Sequence, residues 1–238
     1  CRPLDQPVPD GARDGFRPVP GTELSRDPLR VQLHRDLGQV QFARCDVTHA
    51  GQVAAVLAGA DAVVNLVGAF AGNLDAVQGR GLASLADAAR NAGVSALVHV
   101  SAIGADPASE TAYGRTKAEG EQAVLAGFPG ATILRPSVLF GADDKFLNLF
   151  AGLIAALPVV PVFGPDKRFQ PLFADDAAAA VAEALAAPAR HGGKIYEIGG
   201  PEAVTMLDLH QRIATAQGRS GRFLPLPDSA SSAFASLT

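Results

Sequence analysis

Three polar side chains stand at a set spacing in a stretch of sequence that is otherwise rich in alanine and valine. Ser101 ends an apolar run, Tyr113 follows twelve residues later, and Lys117 comes four residues after the tyrosine. A tyrosine hydroxyl has a pKa of about 10, so it is a poor base at neutral pH. A neighbouring ammonium lowers that pKa. The tyrosine could then exchange a proton with a carbonyl or alcohol oxygen held by the serine hydroxyl.

Each of these residues also has a simpler structural explanation. A tyrosine and a lysine four residues apart occur often by chance, and a serine at the end of a strand is a common cap. Residues i and i+4 share one face of a helix, so the pair can meet only if this part of the chain is helical. The surrounding elements therefore decide between chemistry and packing.

Short apolar runs alternate with helical stretches around the three residues. Strands are predicted at residues 40–46, 61–68, 94–101 and 131–136, and helices at residues 50–60, 75–92 and 115–126. Near-continuous apolar runs are typical of strands that are buried on both faces of a parallel sheet. The alternation predicts an α/β fold with a doubly wound, Rossmann-like parallel sheet. Ligands of such sheets bind outside the carboxyl ends of the strands, where Ser101 lies.

The pattern becomes less regular after residue 141. Helices are predicted near residues 145–157, 175–187 and 206–216, and strands near residues 159–163, 169–173 and 194–200. We interpret this part as the far edge of the sheet plus a small C-terminal lobe. The predicted organisation is an irregular segment (1–25), an incomplete NAD(P)-binding domain (26–141), and the sheet edge with a substrate or partner lobe (142–238).

The first segment lacks the features of a dinucleotide-binding sheet. It has five prolines among its first twenty residues. Proline removes a ladder donor, so a central strand is excluded there. A glycine-rich turn that would cradle a pyrophosphate is not recognisable either. We expect the first strand and the glycine-rich loop to be missing and cofactor binding by this chain to be impaired. Either the chain is a fragment, since it begins at Cys1, with its start misread in a shifted frame, or the protein has lost cofactor binding.

Composition excludes several classes of function. A net charge of −4 gives no electrostatic footprint for nucleic acid. Two cysteines, Cys1 and Cys45, favour a reducing, cytoplasmic setting. The scattered histidines suggest no metal site. The apolar run at residues 149–163 is broken by two prolines and is shorter than the roughly 20 residues of a membrane span. Peripheral contact with the inner membrane remains an alternative.

Taken together, these motifs resemble the short-chain dehydrogenase/reductase superfamily in its atypical branch, which is NAD-dependent epimerase/dehydratase-like. They are most similar to the nucleotide-binding accessory subunit of respiratory complex I and its bacterial relatives. The resemblance runs from about Arg26 to the C-terminus. The stretches that carry it are DAVVNLVG (61–68), HVSAIGAD (99–106), AYGRTKAEGE (112–121), ILRPSVLFG (133–141), DKFLNLFA (144–151), FQPLFADDAAAAV (169–181) and YEIGGPE (196–202).

The resemblance implies cofactor contacts at the ends of several strands. Asp46 and Val47 would face the adenine, and Pro136 and Val138 would flank the nicotinamide. Arg26 would meet a ribose 2′-phosphate, which favours NADP over NAD. The remaining cofactor contacts would be Asn65, Leu66, Val67, Gly68, Tyr113 and Lys117. Simpler roles stay open: Arg26 as a solvated surface residue, Asp46 as a helix N-terminal carboxylate and Pro136 as a strand terminator.

Two functions follow from the resemblance. The first is an NAD(P)-binding accessory protein whose partners are membrane respiratory complex subunits or quinone-pathway proteins, with residues 149–163 as the contact surface. The second is an NAD(P)H-dependent oxidoreductase or epimerase acting on a carbonyl, sugar-nucleotide or quinone-type substrate. In the enzyme, Tyr113 would be the acid/base, Lys117 its electrostatic partner and Ser101 the group that orients the substrate. The sequence does not identify the substrate.

Overall fold

The computed structural model of the 238-residue chain describes residues 43–227. Contacts divide the chain after Asp46, and residues 47–227 belong to one compact unit. The strand predicted at residues 40–46 begins outside the described residues, and residues 43–46 form no strand. The predictions made for residues 1–25, including the missing first strand and glycine-rich loop, also lie outside the described residues.

Helices and strands alternate through the first part of this unit, as the sequence predicts. The elements are α1 (Ala50–Leu57), β1 (Ala62–Asn65), a π-helical segment (Asp75–Arg80) that continues into α2 (Gly81–Ala92), β2 (Ala96–Val100), α3 (Ala112–Gly127) and β3 (Thr132–Pro136). Gly93 ends α2 with a left-handed φ of 73°, a conformation that glycine adopts without steric penalty.

The second part contains shorter strands. Its elements are β4 (Leu139–Phe140), α4 (Phe146–Ala156), β5 (Val159–Phe163), β6 (Arg168–Phe169), β7 (Leu172–Phe173), α5 (Ala174–Ala186), α6 (Pro188–His191), β8 (Ile195–Ile198), β9 (Val204–Thr205), α7 (Met206–Ala216) and β10 (Arg222–Leu226). Strand β10 pairs in parallel with β5.

The single strand predicted at residues 169–173 is wrong. The structure has two short strands there: β6 pairs antiparallel with β9, and β7 pairs in parallel with β4. Pro171 lies between them and has no backbone N–H for a continuous ladder. The chain therefore changes partners at this proline.

Within residues 43–227 the main sheet has four parallel strands in the order β1-β2-β3-β8. One face packs against α1, α2 and α3 through residues that include Val63, Leu97 and Val124. The other face packs against α5 through Val98 and Leu134. Because both faces are covered, successive residues such as Leu97 and Val98 are buried. The predicted α/β architecture with a Rossmann-like parallel sheet is confirmed.

Helix α3 begins three residues before its predicted start at residue 115. The Thr111 hydroxyl accepts a hydrogen bond of 3.1 Å from the Gly114 N–H and caps the helix. Tyr113 and Lys117 therefore lie within the first turns of α3, one turn apart. Among the helices between residues 43 and 227, none has the length and apolar character that crossing a membrane requires.

Candidate functional site

The predicted site residues lie along one edge of the parallel sheet. In the strand register Asn65 is opposite His99, and Val100 is opposite Leu134. The turn that follows β1, Ser101 after β2, and Pro136 at the end of β3 therefore share the carboxyl edge, where α/β proteins bind ligands. The Ser101 N–H donates to the Leu134 carbonyl at 2.7 Å, and this hydrogen bond ties the end of β2 to the end of β3.

Lys117 meets Tyr113, as the spacing predicts. Its ammonium nitrogen lies 6.0 Å from the centre of the tyrosine ring. The same nitrogen donates a long hydrogen bond of 3.5 Å to the Val67 carbonyl, in the turn after β1. Lys117 is only 4% exposed. Burial lowers the pKa of the ammonium, and the nearby Glu121 carboxylate acts in the opposite direction.

Tyr113 differs from the sequence expectation in its acidity. Burial raises the pKa of the phenol, so the lowering expected from Lys117 is not found. The physical reason is that the ammonium lies over the ring and donates to the Val67 carbonyl, while desolvation penalises a phenolate. The exposed Phe70 stacks on the tyrosine ring, with centroids 5.0 Å apart and planes 13° apart.

Ser101 sits at the same edge but does not bond to the tyrosine or the lysine. It is 5% exposed, and its hydroxyl has no hydrogen-bond partner among the residues that the structure describes. A buried hydroxyl without a partner is unfavourable. The position therefore suits the binding of a polar group at this edge.

The residues of the turn after β1 divide between interior and surface. Asn65 is buried, and its amide is used inside the protein, accepting from the Val67 N–H at 3.0 Å. Leu66 and Gly68 are exposed and Val67 is half-buried. A Cβ at Gly68 would lie 3.2 Å from the Lys117 ammonium, so only glycine leaves that nitrogen undisturbed.

The other predicted cofactor contacts are spread more widely. Pro136 is buried and Val138 is half-buried at the end of β3. Val47 packs against the core beneath α1 and α2. Asp46 is exposed and belongs to the preceding unit of the chain. Arg26 lies outside the described residues, so its predicted contact with a 2′-phosphate stays a prediction.

A group of buried polar side chains lies behind Lys117. It comprises Asn65, which was predicted as a cofactor contact, and four residues that the sequence reasoning missed: Gln78, His99, Thr116 and Glu121. The Gln78 amide donates to the Thr116 hydroxyl at 3.2 Å, and Glu121 binds Arg135 through two hydrogen bonds of 2.9 and 2.7 Å. A signal for two of them was present, since the strand runs AVVN and ALVHV each contain one polar residue among apolar ones.

His99 is the most perturbed member of this group. Burial, and to a smaller extent the Lys117 ammonium, lower its pKa to about 4, against an opposing effect of the Asn65 backbone. The ring is therefore neutral at physiological pH.

The edge has features that fit the nicotinamide and ribose half of a dinucleotide. These are the unpartnered Ser101 hydroxyl, the buried Lys117 ammonium and the open backbone at Gly68. In such a complex the cofactor would supply the hydride chemistry. The position of a pyrophosphate cradle falls outside the described residues. Fold and site together define a Rossmann-like domain of the short-chain dehydrogenase/reductase class.

A family model for the RmlD substrate binding domain matches residues 21–236. The chain therefore belongs to this family, which confirms the resemblance seen in the sequence.

Two curated relatives are similar to the chain over most of its length. The chain is 32% identical over 216 residues to the mitochondrial NADH dehydrogenase [ubiquinone] 1 alpha subcomplex subunit 9 of Arabidopsis thaliana. The aligned region covers 88% of this chain and 53% of that protein. The chain is 29% identical over 222 residues to a ceramide reductase of Caulobacter vibrioides, covering 91% of the chain and 68% of that protein. The chain spans about half the length of the complex I subunits it matches.

A solved structure supports the fold. The dTDP-4-dehydrorhamnose reductase of Bacillus anthracis, solved in complex with NADP, superposes with a TM-score of 0.68 and 17% identity. The superposition covers 78% of this chain and 73% of that one. At this level of identity the likeness shows the shared fold.

Proposed function

We propose that the chain is the NADP(H)-binding part of an accessory protein that associates with membrane-bound respiratory complex subunits or quinone-pathway proteins. The observation that carries this proposal is the state of Tyr113. Burial raises its pKa, and its lysine neighbour donates to a backbone carbonyl. Such an arrangement favours holding a cofactor over activating a phenol for proton transfer. The similarity to complex I subunits over 88% of the chain supports the same role.

The alternative is an NAD(P)H-dependent oxidoreductase or epimerase, with Tyr113 as acid, Lys117 as its electrostatic partner and Ser101 as the orienting hydroxyl. The presence of Ser101, Tyr113 and Lys117 at one edge of the sheet favours this alternative, as does the similarity to a protein named as a ceramide reductase. A phenol of raised pKa is still able to donate a proton to a carbonyl oxygen that accepts a hydride.

The Tyr113→Phe variant separates the two functions. In a version of the protein that carries a glycine-rich βαβ start, binding of NADPH should raise the melting temperature under both functions, by an amount set by the ligand concentration relative to Kd. Under the accessory function the variant retains this rise, and neither protein oxidises NADPH with a carbonyl or quinone. Oxidation that the variant abolishes would establish the enzyme instead. The expected impairment of cofactor binding is tested in the same assay, by comparing the chain as given with the version that carries the glycine-rich βαβ start.

The surface for a membrane-bound partner is the outer face of α4. Leu149, Leu153 and Leu157 follow one another at intervals of four residues and are 58%, 37% and 41% exposed. Helix α4 contains no charged residue. A peripheral location at the inner membrane, with its bulk in the cytoplasm, is consistent with such a face.

Replacement of Leu149 and Leu153 by serine should release the protein from membranes and from co-purifying complex subunits. The matched control is Val56→Ser, which alters an exposed aliphatic residue on α1. Unchanged attachment of the double variant would remove α4 from the proposal. Equal release by the control would show that the loss is unspecific.

A further inference from the structure

A chain of hydrogen bonds links the interior of the sheet to the Lys117 ammonium. The Asn65 amide nitrogen lies 2.9 Å from Nδ1 of His99 on the neighbouring strand. The Asn65 amide oxygen accepts from the Val67 N–H at 3.0 Å. The Val67 carbonyl in turn accepts from the Lys117 ammonium at 3.5 Å. One asparagine side chain thus connects a buried ring to the backbone unit that holds the lysine.

The geometry fixes the direction of each hydrogen bond. Because the Val67 N–H requires an acceptor, the Asn65 oxygen faces Val67 and its NH2 group faces His99. His99 then accepts at Nδ1 and carries its proton on Nε2. That nitrogen is buried and has no partner among the described residues. Only a neutral His99 ring can accept the hydrogen bond from the Asn65 NH2 group, in agreement with the lowered pKa of His99.

The turn after β1 has few other constraints. Leu66 and Gly68, on either side of Val67, are both exposed. Among the contacts that the structure describes, the bond from Asn65 holds the Val67 N–H, and the Val67 side chain packs against the core. Without that bond the backbone before Val67 is less constrained, so rotation of the Val67 backbone can turn the carbonyl away from the ammonium.

The charged and titratable groups that face Lys117 do not replace this carbonyl. Glu121 is engaged by two hydrogen bonds from Arg135. Tyr113 presents its ring, at 6.0 Å. His99 is neutral, and in its charged form it would repel the ammonium. Among the described residues, the Val67 carbonyl is thus the hydrogen-bond acceptor of a lysine that is almost fully buried.

We infer that Asn65 and His99 are positioning residues for Lys117: the ring orients the asparagine, the asparagine orients the Val67 carbonyl, and the carbonyl holds the ammonium beside Tyr113. The consequence for ligand binding rests on the proposed function, because it assumes that Lys117 contacts the cofactor. The positioning itself does not depend on it.

The direct test is an NMR titration of the lysine side chains in the protein without ligand. A hydrogen bond to the charged form raises a pKa. In Asn65→Leu the ammonium loses its oriented acceptor, so the pKa of Lys117 should fall below the wild-type value by roughly half a pH unit or more. His99→Leu should give a smaller fall, since Asn65 keeps its bond to Val67. His99→Asn retains an acceptor near the Nδ1 position and should restore the wild-type titration.

A second variant changes the surroundings of the Lys117 ammonium nitrogen from the solvent side. In Gly68→Ala the new methyl group would lie 3.2 Å from the ammonium, on an exposed residue whose replacement leaves the core intact. It should displace the ammonium from the Val67 carbonyl and lower the pKa of Lys117 as well. This variant decides the question if Asn65→Leu does not fold. A Lys117 titration that stays at the wild-type value in Gly68→Ala and in a folded Asn65→Leu would overturn the inference, as would identical behaviour of His99→Asn and His99→Leu.

NADPH binding gives an independent readout. Loss of one charged hydrogen bond should weaken the affinity roughly tenfold in Asn65→Leu, with recovery in His99→Asn. If neither the chain nor the version with a glycine-rich βαβ start binds NADPH, the proposed function fails, while the lysine titration still decides whether Asn65 and His99 position Lys117. The two failures are therefore distinguishable.

Discussion

Two Glu–Arg pairs of similar geometry lie in different surroundings. We define the lobe as residues 142–171 and 199–227, and the sheet domain as residues 47–141 and 172–198. In the sheet domain, Arg135 binds Glu121 with side chains that are 21% and 4% exposed. In the lobe, Arg212 binds Glu202 through hydrogen bonds of 2.8 and 2.6 Å, with side chains that are 55% and 60% exposed.

The difference shows how polar groups are used in the two regions. In the sheet domain Glu121 is removed from water, so the loss of a partner inside the protein is costly. In the lobe the Glu202–Arg212 pair remains hydrated, so water replaces a lost partner. The sheet domain should therefore respond strongly to substitution of polar and closely packed residues, and the lobe weakly.

The largest effect is expected from Glu121→Ala. The substitution leaves the Arg135 guanidinium with only the exposed Glu197 carboxylate, at 3.3 Å, and breaking a largely buried pair in this way costs about 3 to 4 kcal/mol of unfolding free energy. Urea denaturation followed by circular dichroism measures the change. The lobe offers the matched substitution, Glu202→Ala, whose pair is exposed and whose urea midpoint should not change measurably. Similar losses in both variants would remove the distinction between the regions.

The next effect is a pH dependence that originates at His99. The pKa of this residue is about 4 in the folded protein against an ordinary value of 6.5. Between these two values the unfolded chain binds more protons, so stability is full above pH 6.5 and falls as the pH falls toward 4. The loss should reach roughly 3 kcal/mol across that window.

Urea denaturation at several pH values measures this loss, and His99→Asn provides the comparison because it cannot titrate. The difference between wild type and variant should grow as the pH falls. In the lobe, burial also lowers the pKa of His210. A wild-type protein with the same pH profile as His99→Asn would contradict the assignment to His99.

A smaller effect is expected from Gly120→Ala on α3. A Cβ at this position would lie 2.7 Å from the Leu82 methyl group and would also meet the Gln78 carbonyl. The helix must move away from α2, and overpacking of this kind costs about 2 kcal/mol. Thermal unfolding should show a clearly lowered Tm.

The smallest effect, and one of opposite sign, is expected from Gly152→Ala on α4 in the lobe. A Cβ there meets nothing within 4 Å. Alanine favours a helix over glycine, so the variant should gain about 0.5–1 kcal/mol. If Gly152→Ala were destabilised, or if Gly120→Ala were unaffected, the described difference would be wrong. That difference is close packing around Gly120 on α3 and open space around Gly152 on α4.

Much of the fold follows from local patterns in the sequence. The helix predicted at residues 206–216 has those bounds in the structure, and α2 ends at residue 92 as predicted. The alternation of apolar runs and helical stretches also predicts the parallel sheet, the position of Ser101 at its carboxyl edge, and the meeting of Tyr113 with Lys117. These features depend on residues that are close together along the chain, where spacing alone determines which side chains share a face.

Only the tertiary structure decided how the polar residues at this edge are satisfied. Asn65 meets His99 across 34 positions of sequence, and Lys117 meets Val67 across 50. The same long-range packing split residues 169–173 between two partners and raised the pKa of Tyr113 where a lowering was expected. Burial and hydrogen-bond partners are set by elements far apart in the chain, so periodicity determined the scaffold and its edge, while packing determined the chemical state of the residues that stand on it.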